Sequence, residues 1–151
     1  MVLYMALLVM IPVAALTYGL MRVGVSFNNE RMGSIEDEQT LVFMDIFPVA
    51  DGHTLVIPKR HCANLLDAEE DDLRAVIARS RGVARAIREV LQPDGIGVFQ
   101  LNGAAAGQTV FHYHMHLIPR KQGDSLQVHS RTPGDPERLA EVAKQLGAAL
   151  D

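Results

Sequence analysis

The stretch 111-FHYHMHLIPR-120 places His112, His114 and His116 at every second position, with Tyr113, Met115 and Leu117 between and after them. An alternation of period two over Val110 to Ile118 predicts a β-strand rather than a helix. On a strand the three histidines share one face with Val110 and Ile118. Phe111, Tyr113, Met115 and Leu117 then cover the other face, as its contact with the core. At about 3.3 Å per residue, neighbouring imidazoles stand ~7 Å apart and the outer pair ~13 Å apart. One metal ion holds imidazole nitrogens at about 2.0–2.1 Å. Two adjacent histidines could converge on such an ion; three on a straight strand could not. Other ligands would have to come from elsewhere, and the single cysteine, Cys62, rules out a multi-cysteine zinc cluster.

The segment just upstream, 101-LNGAAAGQTV-110, is small, glycine-containing and polar at its end. Gly103 and Gly107 permit backbone conformations closed to other residues. Gly107, Gln108 and Thr109 offer backbone N–H groups and a hydroxyl beside the histidines, a cradle for phosphate oxygens. By itself such a loop reads equally as an ordinary hairpin connection. Joined to three imidazoles on one face it reads as a phosphoryl site. There a neutral histidine can attack while a neighbour carries the proton that a leaving group needs.

These residues resemble a known family. The run from His112 to Ile118 looks like the histidine-triad (HIT) motif, His-φ-His-φ-His-φ-φ with φ apolar. The likeness extends back through 103-GAAAGQTVFH-112 and through 45-DIFPVADGHTLVIPKRH-61, and covers roughly Ile35 to Arg120. The resemblance implies a nucleotide-binding protein that hydrolyses or transfers nucleoside monophosphate groups through a nucleotidyl-histidine intermediate. Bonds of the dinucleoside polyphosphate or nucleoside phosphoramidate class are the expected targets. A nucleotide-binding protein with weak or vestigial catalysis is the alternative, and a metal-dependent enzyme using two of the three histidines is the remaining one. The resemblance makes His114 the nucleophile at the α-phosphorus, with His112 and His116 flanking it as catalytic partners. It makes Gly107, Gln108 and Thr109 the phosphate loop, and Asp45 and Ile46 the ribose and base contacts; a carboxylate at Asp45 can accept from both ribose hydroxyls. Adenine or another purine is the family's default base. His53 and His61 also fall at family positions, and are given structural roles.

Two departures stand out. The family usually carries Asn or Gln seven residues before the loop glutamine, where this chain has Leu101, with Asn102 one step on and Gln100 one step back. Either a neighbour such as Asn102 substitutes, or the contact is lost. Many bacterial members also hold a structural zinc through an N-terminal Cys-x-x-Cys and two histidines matching His61 and His112. The cysteine pair is missing here, so no metal and no cofactor is expected.

The rest of the chain reads as an α+β domain of antiparallel strands, one long helix and a C-terminal helix; the resemblance implies the HIT-like fold, with a five-stranded antiparallel sheet. Strand-like runs lie at 40–45, 53–59, 95–102 and 110–118. Asp67, with Glu70 three residues on, is a capping-box-like helix start. Leu73, Val76, Ile77, Ser80, Val83, Ala84, Ile87 and Val90 form the buried stripe, and Pro93 and Gly95 end the helix. A second helix starts at Asp135 with Pro136 at its first position, and buries Leu139, Val142, Leu146 and Leu150. The resemblance adds a homodimer, its sheet extended across two copies through the 95–102 strand and the long helix. A chain of 151 residues is one domain by length, and its net charge of −4 gives no footprint for a nucleic-acid polymer. One cysteine suits a reducing compartment. Residues 1–33 form an apolar N-terminal segment, and 34–151 the HIT domain. Val2 to Met21 is long enough and free enough of charge to span a membrane, while Pro12, Thr17, Tyr18 and Gly19 make it a poor span. Membrane contact through 1–21, packing on the domain or across a dimer, and a tail unrelated to function all stay open. If the segment is an anchor, Arg22 and Arg31 after it place the domain on the cytoplasmic side, and the expected location is cytoplasmic.

Overall fold

The computed structural model describes residues 35–150. The readings of 1–33 as anchor or packed segment therefore lie outside the described residues. Five strands, β1 (Ile35–Glu36), β2 (Thr40–Met44), β3 (Thr54–Pro58), β4 (Gly95–Phe99) and β5 (Met115–Arg120), form one sheet in the order β1-β2-β3-β5-β4. Every pairing is antiparallel. Helices α1 (Glu70–Leu91) and α2 (Pro136–Ala148) pack on one face. This is the α+β arrangement that the sequence predicts.

Strand alternation separates two apolar clusters. Val42, Met44, Val56, Met115 and Leu117 meet Val76, Val83 and Ile87 of α1 and Leu139, Val142 and Leu146 of α2. Phe43, Leu55 and Ile57 face the other way with Leu41, Ile46 and Val110. Phe43 is paired with Leu55, and Leu55 with His116, so one cross-strand row carries the triad's last histidine onto the helix-free face. Among the described residues no helix packs on that face.

Three local expectations change. First, β5 begins at Met115 rather than at Val110. The Nδ1–H of His114 donates to the His112 carbonyl two residues back, and the Nε2–H of His112 donates to the Pro58 carbonyl. Side chains thus take acceptors that a ladder would need, and the segment stays irregular. Phe111 consequently points outward, 54% exposed, instead of joining Tyr113 and Met115 in the core. Second, the Asp67 carboxylate accepts from the N–H groups of Ala63 and Asn64, before the helix, and α1 starts three residues later behind Glu69. Asp67 closes a turn rather than a capping box. Third, Ile77 is 55% exposed and leaves the buried stripe, while Ala86 enters it. The second helix starts as expected, with Asp135 accepting from the Glu137 N–H and Pro136 at the first position.

Candidate active site

His112, His114 and His116 open onto one cavity of about 380 Å³ on the helix-free face. Phe43, Leu55 and Ile57 make its apolar floor, and Asp45 and Phe47 stand along one side. Gly107, Thr109 and Val110 come from the loop, and His129, Ser130 and Arg131 from the segment after β5. Of the three triad histidines, the sheet supplies only His116. His112 and His114 reach the cavity from irregular chain, held by the bonds described above and by the Tyr113 N–H, which donates to the Cys62 carbonyl at 2.8 Å.

Hydrogen bonds fix the protons on the rings. The Nδ1 of His114 lies 2.7 Å from the carbonyl oxygen of His112, so it must donate. A neutral ring has one N–H, and the Nε2 of His114 is therefore a bare lone pair. His53 works the opposite way. Its Nδ1 accepts from the Val49 N–H, so its proton is on Nε2 and is donated to the Nδ1 of His116 at 2.9 Å. His116 must then carry its own proton on Nε2, a buried nitrogen with no partner among the described residues. The triad thus holds one lone pair and one N–H donor without a structural partner. Sequence reasoning gave His53 a structural role; the geometry makes it the residue that sets the tautomer of His116. His53 sits in place because Gly52 takes φ +84°, and a Cβ there would meet the Cδ1 of Leu91 at 2.2 Å. Only glycine fits that turn.

Burial lowers the pKa of His53, His112, His114 and His116. His112 falls from 6.5 to about 4 through burial, against the bond to Pro58 that raises it. His53 also falls to about 4, again through burial, with Asp45 pulling the other way. Burial likewise lowers His114, opposed by the His112 carbonyl, and lowers His116 far below its ordinary value, with His114, His53 and His129 adding to the fall. In the sequence reading a neighbour of the attacking histidine carries a proton for the leaving group, and His116 is one of the two flanking rings. In the unliganded cleft it is neutral, and what it offers is the Nε2–H.

The loop differs from its sequence reading in detail. The N–H groups of Gly107 and Gln108 are spent on the carbonyls of Ala104 and Gly103, closing a single 3-10 turn at Ala104–Ala106. The Gln108 side chain is buried, accepting from the Gly103 N–H and donating to the carbonyls of Ala63 and Val110. It shapes the loop and cannot also grip a phosphate. Thr109 keeps its amide and hydroxyl free of partners among the described residues. Asn102 accepts from the Leu65 N–H outside the cavity lining, and Ile46 packs on the Phe43 cluster. Phe47, which the sequence did not single out, lines the wall near Asp45. Leu101 packs beneath Gly107, and Gln100 bonds the Leu101 carbonyl, so neither neighbour stands in for the missing amide. His129 was missed as well; its one sequence signal was being a histidine shortly after the triad. Its Nε2–H donates to the Gly107 carbonyl at 2.8 Å, and its ring meets the edge of His116 at 5.5 Å.

The sheet carries helices on one face and an imidazole-lined cleft on the other. Residues 27–123 match the HIT domain, and the chain belongs to the HIT family. It is 40% identical over 119 residues to Protein hit of Bacillus subtilis, covering 76% of this chain and 82% of that one. It is 47% identical over 85 residues to a 16.1 kDa HIT-like protein of Mycoplasma pneumoniae, spanning 56% of this chain and 59% of that relative. A protein of Arabidopsis thaliana named adenylylsulfatase HINT3 is 34% identical over 111 residues, covering 74% of this chain and 56% of the relative. Among solved structures, a Hit-like protein of Bartonella henselae superposes with a TM-score of 0.72 at 40% identity, covering 83% of this chain and 99% of that one. A zinc-bound histidine-triad protein of Mycobacterium smegmatis gives 0.70 at 38% identity, covering 89% and 91%.

The zinc of that last relative prompts a test of the donors here. The Nδ1 atoms of His61 and His112 lie 3.0 Å apart, a hydrogen bond in which His61 donates, because His112 already gives its proton to Pro58. Among the described residues no third His, Cys, Asp or Glu atom joins them, and burial holds the Cys62 thiol protonated, up to about 11. Asp45, His53 and His116 do gather within 4.8 Å. The lone pair of His53 is turned to the Val49 N–H, however, so its Nε2 is a donor and not a ligand. Neither cluster fits a metal as it stands.

Proposed function

We propose that this protein hydrolyses or transfers a nucleoside monophosphate group by covalent catalysis on His114. The commitment of the His114 Nδ1–H to the His112 carbonyl carries this reading, because it leaves the Nε2 lone pair at the cavity. That nitrogen attacks the α-phosphorus: a P–N bond forms, the bond to the leaving group breaks, and the leaving atom takes the electron pair. The ring becomes cationic in the intermediate, and the His112 carbonyl steadies it. Water then cleaves the P–N bond and frees the histidine. The Nε2–H of His116 and the amide and hydroxyl of Thr109 meet phosphate or leaving-group oxygens. Asp45 keeps Oδ2 for the ribose hydroxyls while Oδ1 accepts from the Phe47 N–H, and the Phe43, Leu55 and Ile57 floor takes the base. The activity printed in the name of the Arabidopsis relative, cleavage of an adenylyl group from sulfate, is of the same type.

Trapping a nucleotide on His114 from radiolabelled substrate in acid-quenched samples tests this directly. Leu101 favours the second reading, nucleotide binding with weak chemistry, and a missing adduct would establish it. Turnover should continue in excess EDTA, since the steps above need no metal. His116→Ala should slow substrates with poor leaving groups on the order of tenfold or more beyond its effect on activated ones. Equal losses would leave His116 as a phosphate contact only.

The homodimer belongs to the same proposal. β4 is a sheet edge, paired only with β5, and Val98 on it is 49% exposed. Ile77 on α1 is open as well. An edge with apolar side chains is one that proteins normally cover. Light scattering well above micromolar concentration should give the mass of two chains, and a monomer would remove the dimer from the proposal.

A further inference from the structure

The segment after β5 ends the cavity with a cation that the fold does not use. Arg60, Arg74, Arg79 and Arg138 are each committed to a carboxylate, and Arg120 to the Gln127 carbonyl. Arg131 lines the cavity and has no hydrogen-bond or ion-pair partner among the described residues. It is anchored nearby on both sides. His129 is tied to the Gly107 carbonyl and lies edge-on to His116, and the Gly134 N–H donates to the Ile46 carbonyl at 2.8 Å. Between these, the Ser130 hydroxyl accepts from the Thr132 N–H. The only acid in the lining is Asp45, which the ribose is taken to occupy.

We propose that Arg131, on a segment that His129 ties beside the triad, forms a leaving-group subsite that takes an anion, so that the preferred substrates lose a phosphate chain or a sulfate rather than a neutral amine. This rests on the nucleotidyl-transfer reading above. A guanidinium without an internal partner gains little from an amine, and gains charge-assisted hydrogen bonds from a phosphate or sulfate oxygen. His129, tied to the Gly107 carbonyl and edge-on to His116, holds this segment beside the triad.

The test uses binding, so that it does not depend on turnover. AMP fills the nucleotide half of the cavity, and the β-phosphate of ADP adds the anion next to it. Calorimetry on the full chain should show ADP binding more tightly than AMP, and Arg131→Ala should erase that surplus, a loss of about 10- to 100-fold for ADP. AMP should change less than about threefold, and Arg131→Lys should restore part of the surplus. Arg131 is exposed and unpaired, so its removal leaves the fold intact. Equal effects on AMP and ADP, or none on either, would overturn the subsite even if a His114 adduct is found. A selective loss for ADP would uphold it even if no adduct forms. Among turned-over substrates, the same variant should lower kcat/KM for adenylyl sulfate and spare an adenosine phosphoramidate.

Discussion

His114→Ala should lower turnover by on the order of 10⁴-fold or more, while AMP affinity stays within about tenfold of the parent. The asymmetry follows from what the side chain does. In the ground state its Nε2 offers a lone pair to an electron-poor phosphorus and makes no contact that an occupied site depends on. In the proposed complex, binding comes from Asp45, the apolar floor, Thr109 and His116, all of which line the cavity. One lost polar contact costs on the order of 1 kcal/mol, which is a factor of about five. In the transition state the same nitrogen forms the new bond, and without it water must attack unaided. The variant also removes an internal bond, the donation to the His112 carbonyl. A fold check by circular dichroism and a Tm within a few degrees of the parent therefore belong with the kinetics. Near-normal turnover in a folded variant would take His114 out of the nucleophile's role, and with it the mechanism proposed here.

Much of this was legible in the residues. The alternation of the triad placed His116 correctly, because Met115 and Leu117 are long apolar side chains that a sheet must bury on one side. The α2 start was legible from Asp135 and Pro136, since a cap and a fixed φ act locally. What the sequence could not show were bonds between side chains and distant backbone. His114 to His112, His112 to Pro58, and Gln108 to Ala63 all depend on where two separate segments lie in space. Those bonds end β5 early and turn Phe111 outward. The Gln108 side chain is likewise spent on backbone carbonyls, and His53 is bonded to His116 of the triad. Ile77 misled for a different reason: its helical spacing is right for a buried stripe, but the space beyond it is open in a single chain. His129 and Arg131 carried no pattern at all, because they belong to irregular chain whose course is set by contacts with Gly107 and Ile46.

Acidification should destabilise the protein well above the pH at which its carboxylates titrate, with Tm falling steadily as pH drops from 6.5 towards 4. The cause is the cluster of neutral rings. His53 and His112 titrate near 6.5 when unfolded and about 4 when folded, because burial penalises their charged forms. Between those values the unfolded chain binds more protons than the folded one, so stability rises with pH and is lost as pH falls. At 1.36 kcal/mol per unit, each ring contributes on the order of 3 kcal/mol across the window, and His114 and His116 shift in the same direction. That total is a large share of the 5–15 kcal/mol that typically separates folded from unfolded domains. Carboxylates act lower. Burial pulls Asp37 upward, but hydrogen bonds from Arg79, Thr40 and Gln39 outweigh it and hold it well below 3.8, so its contribution is lost only below that value. The interval from 6.5 to 5 is therefore governed by the histidines. Scanning calorimetry at intervals of half a pH unit should show the fall there, and His112→Asn should make the curve shallower even if it lowers Tm at neutral pH. Turnover adds a second readout. Burial lowers the His114 pKa too, so its Nε2 keeps the lone pair to a lower pH than a free imidazole does. Initial rates should therefore outlast stability as the pH is lowered, and incubated samples should lose activity first. A flat Tm between 6.5 and 5 would mean that the rings are charged or solvated in the folded protein, and the tautomers assigned to the site would fail with it.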